Sequence, residues 1–208
     1  MNKGAIFVMI GVLALAAVFG FISKGKTTGQ TTEILKNEIN NTPLSTGTTG
    51  QTTMNNEIKV KLETNKGDIV IKLYSDMPIT IGNFEKLVKQ GFYNGVIFHR
   101  VIDGFMIQGG DPQGTGMGGP GYTIKDEFTH AGGNKNNKYT ISMANAGPNT
   151  GGSQFFINLV NNNFLDTKHP AFGEVIEGIN VVDAIAKVET DGGDRPLKDV
   201  VIVKASVI

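Results

Sequence analysis

From residue 58 onward the chain is a succession of short apolar runs separated by turn residues. Apolar and polar residues alternate through 58–62 and again through 69–73, with a turn signal at 64–67 between them. A period of two places the apolar side chains on one face of a strand. The 28 glycines, against 7 prolines, suit the tight turns that join such strands. The chain therefore predicts antiparallel hairpins that each bury one face in a core.

Two segments depart from this pattern and predict helices. Apolar residues at 81, 84, 87 and 88 form a single helical stripe that opens at Met77-Pro78 and stops at Gly91. A second stripe predicts a helix over Gly178–Val188. About eight short strands remain, and full closure is one way in which antiparallel strands avoid exposed edges. We predict a mainly β domain at 57–208, a closed eight-stranded antiparallel β-barrel capped by two α-helices.

The first 56 residues have a different composition. Residues 4–22 contain 19 residues with no charge, about the length that spans a bilayer as a helix. Cleaved signal peptides have shorter apolar cores. We therefore expect 1–23 to be an uncleaved transmembrane anchor, with a cleaved signal as the alternative. Residues 24–56, rich in Thr, Gly and Asn, predict a disordered linker.

The location of the protein is an expectation that rests on its N-terminal segment. The positive charges that flank residues 4–22 are nearly balanced, so they determine orientation weakly. We expect a single-pass membrane protein with its domain outside the cytoplasm, because an anchor at the start of a chain usually exports the rest of that chain. Secretion after signal cleavage is the alternative.

Composition excludes several classes of function. The formal net charge is zero, which gives no basis for nucleic-acid binding. The absence of Cys excludes disulfides, thiolate metal sites and a thiol nucleophile. The three His residues have no metal-ligand spacing. We expect no metal and no cofactor.

The stretch Phe98–Asp111 reads as two strands around an Asp103-Gly104 turn. Arg100 and Gln108 are polar residues inside its apolar frame. They indicate either a groove with a few fixed donors or surface side chains that snorkel over apolar neighbours. The stretch alone does not decide between these readings.

The loop after Asp111 contains Gly114-x-Gly116-x-x-Gly119, which has the form of a dinucleotide-binding fingerprint. That fingerprint requires a strand before it and a helix after it. Here Pro120-Gly121 comes next, without a βαβ pattern, so we reject a nucleotide site.

Four separated motifs carry a resemblance to a known family. They are Phe98-His-Arg with Gly104-Phe-Met-Ile-Gln-Gly-Gly-Asp111, Ser142–Thr150, Gly152–Ile157, and Phe164-Leu-Asp with His169. In this order they resemble the cyclophilins, peptidyl-prolyl cis–trans isomerases, over about 57–208. The resemblance implies a barrel with two helices and a substrate groove on its outer surface. It also implies that proline-containing polypeptides are the partners.

The family's roles transfer to matching positions. Arg100 matches the catalytic arginine, and His99 beside it matches a supporting histidine. The walls of the proline pocket match Phe105, Met106, Phe156, Leu165 and His169. The residues that hold the peptide or line the groove match Gln108, Gln154, Asn145, Ala144 and Ala146. Phe164 stands where many members carry Trp, so cyclosporin is a candidate ligand whose tight binding is in doubt.

The residues also suit the chemistry on physical grounds. Rotation about an X–Pro bond meets a barrier of roughly 18–20 kcal/mol because the C–N bond is partly double. A site that favours the twisted state needs an apolar slot, a cationic donor and backbone anchors, and no nucleophile. We expect an isomerase that assists the folding of exported or surface proteins. The alternative is a non-catalytic, tethered module that binds proline peptides.

Overall fold

The computed structural model describes residues 57–208. The predicted anchor at 1–23, including its apolar span 4–22, and the predicted linker at 24–56 lie outside the described residues. Within 57–208, no helix is both long enough and apolar enough to cross a membrane.

Within residues 57–208, eight antiparallel strands form a single sheet. Their bounds are β1 Lys59–Thr64, β2 Gly67–Leu73, β3 Arg100–Ile102, β4 Met106–Gly109, β5 Thr140–Met143, β6 Phe155–Asn158, β7 Ala171–Glu177 and β8 Ile202–Val207. The strand order across the sheet is β3-β4-β6-β5-β7-β2-β1-β8. The hairpins predicted from the alternating pattern are therefore confirmed.

The predicted closure of the barrel is wrong. The two edge strands, β3 and β8, do not pair with each other, and the sheet curls into a half-barrel. Between these edges, the described residues show one isolated bridge, Ile97 to Val201, with backbone hydrogen bonds on either side of it. Because β3 has only three residues, it presents too short an edge to continue a ladder along β8.

In the part of the chain that the structure describes, two α-helices accompany the sheet, as predicted for this domain. Helix α1 spans Pro78–Lys89, with proline in its first turn where a backbone donor is not needed. Its first amide groups are capped from a distant loop, since the Glu127 carboxylate accepts hydrogen bonds from the amides of Ile79 and Thr80. Helix α2 spans Ile179–Ala186 and begins after Gly178. It is shorter at both ends than the predicted segment.

The concave face of the sheet packs against the helices to form the core. Alternate residues of each strand point there, so Val101, Ile107 and Ile157 are buried with the α1 residues Phe84 and Leu87. The other face carries the residues between them in sequence. This alternation sends Arg100, Gln108 and Phe156 to the outer face.

Loops cover part of the outer face and are fixed there by buried amide and hydroxyl groups. The Nδ2 atom of Asn158 donates to Ser142 Oγ at 3.2 Å, and Ser142 Oγ donates to Asn136 Oδ1 at 2.7 Å. Asn162 Nδ2 donates to Asn158 Oδ1 at 2.9 Å and to the Phe105 carbonyl at 2.8 Å. This network ties the β3–β4 turn to the loop that follows β6, where a short 3-10 helix spans Asn163–Leu165.

Candidate active site

A row of three predicted site residues crosses the outer face. In the antiparallel register, Arg100 on β3 lies opposite Gln108 on β4, and Gln108 lies opposite Phe156 on β6. Directly opposed residues on one face have neighbouring side chains. The sheet register therefore places a cation, an amide and an aromatic ring side by side, although they are up to 56 residues apart in sequence.

Arg100 is the accessible cation of this row. Its side chain is 44% exposed, and its Nε atom lies 3.4 Å from Asp194 Oδ2. Asp194 belongs to the loop between α2 and β8 and is 43% exposed. The guanidinium is a cation that presents a planar fork of donors.

The predicted apolar walls lie together beside this row. Phe156 packs edge-on against the His169 ring, with centroids 5.4 Å apart. The His169 amide donates to the Leu165 carbonyl at 3.0 Å. Met106 and Phe156 are almost fully buried, whereas Phe105, Leu165 and His169 keep accessible surface. We call this apolar surface the slot: Phe105, Leu165 and His169 are its accessible residues, and Met106 and Phe156 are its buried ones.

Phe164 extends this surface outward. Its ring stacks on Phe105 with centroids 6.1 Å apart and an interplanar angle of 17°. It is 68% exposed, so it contributes an accessible apolar face at the rim of the slot.

His169 is neutral at pH 7 in this setting. Burial lowers its pKa below the ordinary value, and the hydrogen bond to the Met143 carbonyl opposes this change only in part. The Nδ1 atom lies 3.0 Å from that carbonyl oxygen, which assigns the proton of the neutral ring to Nδ1. The slot wall is therefore uncharged.

Two glutamines form the polar end of the site. Gln108 Nε2 donates to Gln154 Oε1 at 2.9 Å. Gln154 Nε2 donates in turn to the carbonyl oxygens of Gly116 and Gly118, at 3.0 and 2.8 Å. Both amide protons of Gln154 are used in this way.

The glycine-rich loop that receives Gln154 is folded around a buried carboxylate. Asp111 accepts hydrogen bonds from the amides of Gln113, Thr115, Gly116 and Gly118 at 2.6–3.1 Å, and from the Thr115 hydroxyl at 3.2 Å. Burial by itself raises the pKa of this carboxyl, but the four backbone donors outweigh it and hold the pKa below its ordinary value. The chain continues from this loop to β5, without the helix that a dinucleotide fingerprint needs.

A cavity of about 480 Å³ opens between this loop and the segment after β5. Predicted site residues in its lining are Gln108, Gln154, Ala144, Asn145 and Ala146. Arg100 and the apolar walls do not line it. The predicted residues thus divide into an apolar slot beside Arg100 and a polar cavity, and Gln108 lies between the two.

The segment after β5 is held by its own hydrogen bonds. The Ala144 amide donates to the Gln154 carbonyl at 3.0 Å, and Asn145 Nδ2 donates to the Lys168 carbonyl at 2.8 Å. The Ala146 amide donates to Thr150 Oγ1 at 2.8 Å. These contacts leave the small side chains of Ala144 and Ala146 on the cavity wall.

His99 lies behind the site. It is 8% exposed, and its Nδ1 atom has no hydrogen-bond partner among the described residues. Burial lowers its pKa, the charges of Arg195 and Arg100 lower it further, and Asp111 opposes them. A buried neutral ring next to Arg100 in sequence fits a supporting position.

Sequence reasoning missed several residues of the site. Asp194, which contacts Arg100, lies in a Gly-rich loop with no periodic signal. Tyr122 and Met117 line the cavity from a loop whose sequence indicates only irregular structure. The one available signal was Asp111 before a run of glycines, because Asp side chains often bond to backbone amides that follow them.

The chain matches one family model over most of its length. The model is described as cyclophilin type peptidyl-prolyl cis-trans isomerase/CLD, and it matches residues 59–207. That range includes every predicted site residue.

Similar proteins agree with this match. A peptidyl-prolyl cis-trans isomerase A of Mycobacterium tuberculosis is 45% identical over 188 residues, covering 81% of this chain and 96% of the relative. A peptidyl-prolyl cis-trans isomerase of Arabidopsis thaliana is 49% identical over 152 residues, or 71% of this chain, but this match spans only 24% of that longer relative.

A solved structure shows the same fold. It is a cyclophilin type peptidyl-prolyl cis-trans isomerase of Cryptosporidium parvum, crystallised in the presence of the dipeptide Ala-Pro. The TM-score is 0.68 at 35% identity, over 72% of this chain and 98% of that chain.

Proposed function

Since the chain belongs to the cyclophilin-type peptidyl-prolyl cis–trans isomerases, a family of rotamases, we propose that it accelerates X–Pro rotation during the folding of exported or surface proteins. The observation that carries the site assignment is the row Arg100–Gln108–Phe156, which sets a permanent cation beside an apolar slot on an accessible face. The crystallisation of a structural relative with Ala-Pro supports a proline peptide as the ligand.

The proposed mechanism is preferential binding of the twisted amide. In the ground state the proline nitrogen shares its lone pair with the carbonyl, and rotation frees that pair. The proline ring enters the slot of Phe105, Leu165 and His169 above Phe156. Arg100 then donates a hydrogen bond toward the nitrogen as the lone pair develops. An interaction that strengthens only in the twisted state lowers the barrier.

The amide groups hold the rest of the peptide. Gln154 has no free amide proton, so Gln108 supplies the side-chain donor and acceptor nearest to the slot. Asn145 and its neighbours, Ala144 and Ala146, offer backbone groups and little steric bulk beside the cavity. Holding the proline ring and the peptide on one side of it prevents the chain from rotating as a whole, so the group on the other side of the X–Pro bond can turn about that bond. No covalent step is involved.

The activity test compares wild type with Arg100→Ala. Cis–trans exchange of a short Ala-Pro peptide is followed by NMR, and the substitution should lower the catalysed rate about 100-fold, by analogy with the loss of one transition-state donor. The matched control is Lys187→Ala, which removes an exposed cation from the end of α2. Equal rates for wild type and Arg100→Ala would refute the role of Arg100. Peptide binding without any catalysed exchange would favour the non-catalytic binding module.

The proposed location is tested separately. We propose that residues 4–22 anchor the protein in a membrane and that 57–208 faces away from the cytoplasm. Intact-mass measurement of the mature protein extracted from membranes distinguishes an anchor from a cleaved signal. Added protease should digest the domain in intact cells or spheroplasts. Survival of the domain until the cells are lysed would contradict the orientation.

A further inference from the structure

The catalytic arginine has a partner outside the residues that match the family's site. Asp194 Oδ2 lies 3.4 Å from Arg100 Nε, the guanidinium nitrogen next to the aliphatic part of the side chain. Within residues 57–208, no hydrogen bond to either terminal nitrogen is found. The carboxylate thus engages the single N–H at Nε, and residues 57–208 leave the four N–H donors of the terminal nitrogens unengaged.

The loop that carries Asp194 is tied to β3 by its backbone. The Asp194 carbonyl accepts a hydrogen bond from the Val101 amide at 2.8 Å, immediately next to Arg100. Inside the loop, Asp191 Oδ1 accepts from the amides of Gly193 and Arg195, at 2.8 and 3.0 Å. These bonds fix the backbone of Asp194 next to β3. The carboxylate of Asp194 is therefore held within reach of Arg100 by the fold of the loop.

The backbone at Asp194 is unusual. Its φ is +65°, the left-handed region that few residues other than Gly, Asn and Asp adopt readily. This conformation turns the chain so that the carbonyl meets Val101 while the side chain faces Arg100. A residue with left-handed backbone whose carbonyl and carboxylate both contact the same three-residue strand indicates a specific arrangement.

We infer that Asp194 is a positioning residue for Arg100: it holds the Nε end of the guanidinium and leaves both terminal nitrogens free for the substrate. This inference rests on the proposed role of Arg100. An unrestrained arginine side chain has considerable rotamer entropy, which must be lost when it donates to the twisted amide. Asp194 removes part of that cost before substrate arrives, which improves the rate without a contact to the substrate.

The test uses the full chain with two substitutions at this position. Asp194→Gly removes the carboxylate and suits a positive φ. Asp194→Asn also tolerates this backbone and keeps a neutral acceptor for Nε. The control is Asp103→Asn, which removes another exposed carboxylate, paired with Lys187, from the β3–β4 turn.

We expect kcat/KM for Asp194→Gly to fall about two- to fivefold, the range of an exposed ion pair, with the change mainly in kcat. Asp194→Asn should lose less, and Asp103→Asn should match wild type. Thermal unfolding of the variants checks that each is folded. Unchanged kcat/KM in both Asp194 variants would overturn the inference, and so would an equal fall in Asp103→Asn, which would point to a general charge effect.

A second readout needs no substrate. The ¹⁵Nε–Hε signal of Arg100 should exchange slowly with water in the wild type and faster in Asp194→Gly. Identical exchange in the two proteins would overturn the inference even if the rates differ. If the wild type shows no isomerase activity, the proposed function fails, and this NMR comparison still decides whether Asp194 restrains Arg100.

Discussion

Gln108 and Gln154 share a single hydrogen bond, and its direction is fixed by the loop beyond it. Gln154 gives both amide protons to the carbonyls of Gly116 and Gly118, so its oxygen must accept from Gln108. Gln108 therefore keeps its own oxygen and one proton for a ligand. The glycine-rich loop thus sets the orientation of Gln108 through Gln154.

Gln154→Glu tests this orientation. A carboxylate has the same size but cannot donate, so it would face two carbonyl oxygens and lose about 1 kcal/mol for each hydrogen bond. We expect kcat/KM for a proline peptide to fall about tenfold, because the loop and Gln108 both lose their fixed positions. Gln90→Glu, an exposed glutamine at the end of α1, is the control. Wild-type kinetics in Gln154→Glu would show that the orientation of Gln108 is unimportant.

The Asp111 carboxylate should make the stability of the glycine-rich loop depend on pH. Its folded-state pKa is lowered by four backbone donors, so the unfolded chain binds the proton more readily. The contribution of the carboxylate is complete above the unfolded pKa of about 4 and is lost as the pH falls through the lower folded value. We expect Asp111→Asn to lose about 3 kcal/mol at pH 7, because the amide sets a donor against backbone donors.

Thermal unfolding measured from pH 7 to pH 2 checks this prediction. A loss of this size lowers the Tm by roughly 10 °C in a domain of this length. The difference between wild type and Asp111→Asn should shrink below about pH 4. Asp199→Asn, at an exposed carboxylate, is the control. A gap that stays constant with pH would mean that the ionised form of Asp111 is not what holds the loop.

Much of the fold could be read from local patterns. Period-two alternation located the strands, and the stripe of Phe84, Leu87 and Val88 located α1. This alternation of apolar and polar residues does not show which strands pair with each other. An edge strand and a central strand can have the same alternating pattern. The prediction of closure rested on the number of strands and on the family resemblance, and the absence of pairing between β3 and β8 contradicts it.

Some residues of the site could be predicted from the sequence, and others depend on tertiary structure. Arg100 and Gln108 could be singled out because polar residues interrupt apolar strands, and the register then brings them together. The pairing of Arg100 with Asp194 joins residues 94 positions apart, through a loop with no periodicity. Likewise, the sequence places Asp111 before a run of glycines, but it does not show that the carboxylate is buried. Loop contacts of this kind follow from tertiary structure.

The backbone at Gly110 packs too closely against the segment before β6 to accept a side chain. Its φ is +86°, and a Cβ atom there would overlap the Ser153 carbonyl oxygen. Gly104 has a similar φ of +71° but has open space around it. Gly104→Ala should therefore cost about 1 kcal/mol of backbone strain, whereas Gly110→Ala should cost at least about 3 kcal/mol.

Urea unfolding of both variants measures this difference. The larger cost arises because a Cβ atom at Gly110, just after β4, would press on the Ser153 carbonyl in the segment before β6. Equal stability losses in the two variants would show that the backbone near Ser153 moves aside without penalty.

The protonation of His169 should change the charge of the slot with pH. Burial lowers its pKa, so the wall beside Phe156 is neutral at pH 7 and gains a charge only in more acidic solution. In an NMR titration, the His169 ring should show a midpoint below about 6.5, and its ¹⁵N shifts should place the proton on Nδ1. A midpoint at or above the ordinary value would contradict this prediction.

Isomerase activity should depend on the protonation state of His169. A charged ring would disfavour an apolar proline beside it, so kcat/KM should fall as the pH drops through the His169 midpoint. His169→Phe keeps an aromatic ring against Phe156 without a titrating group, and its profile should be flat over that range. His99, also buried with a lowered pKa, is the competing cause. If His99→Gln flattens the profile and His169→Phe does not, the charge that limits activity arises behind Arg100 and not in the slot.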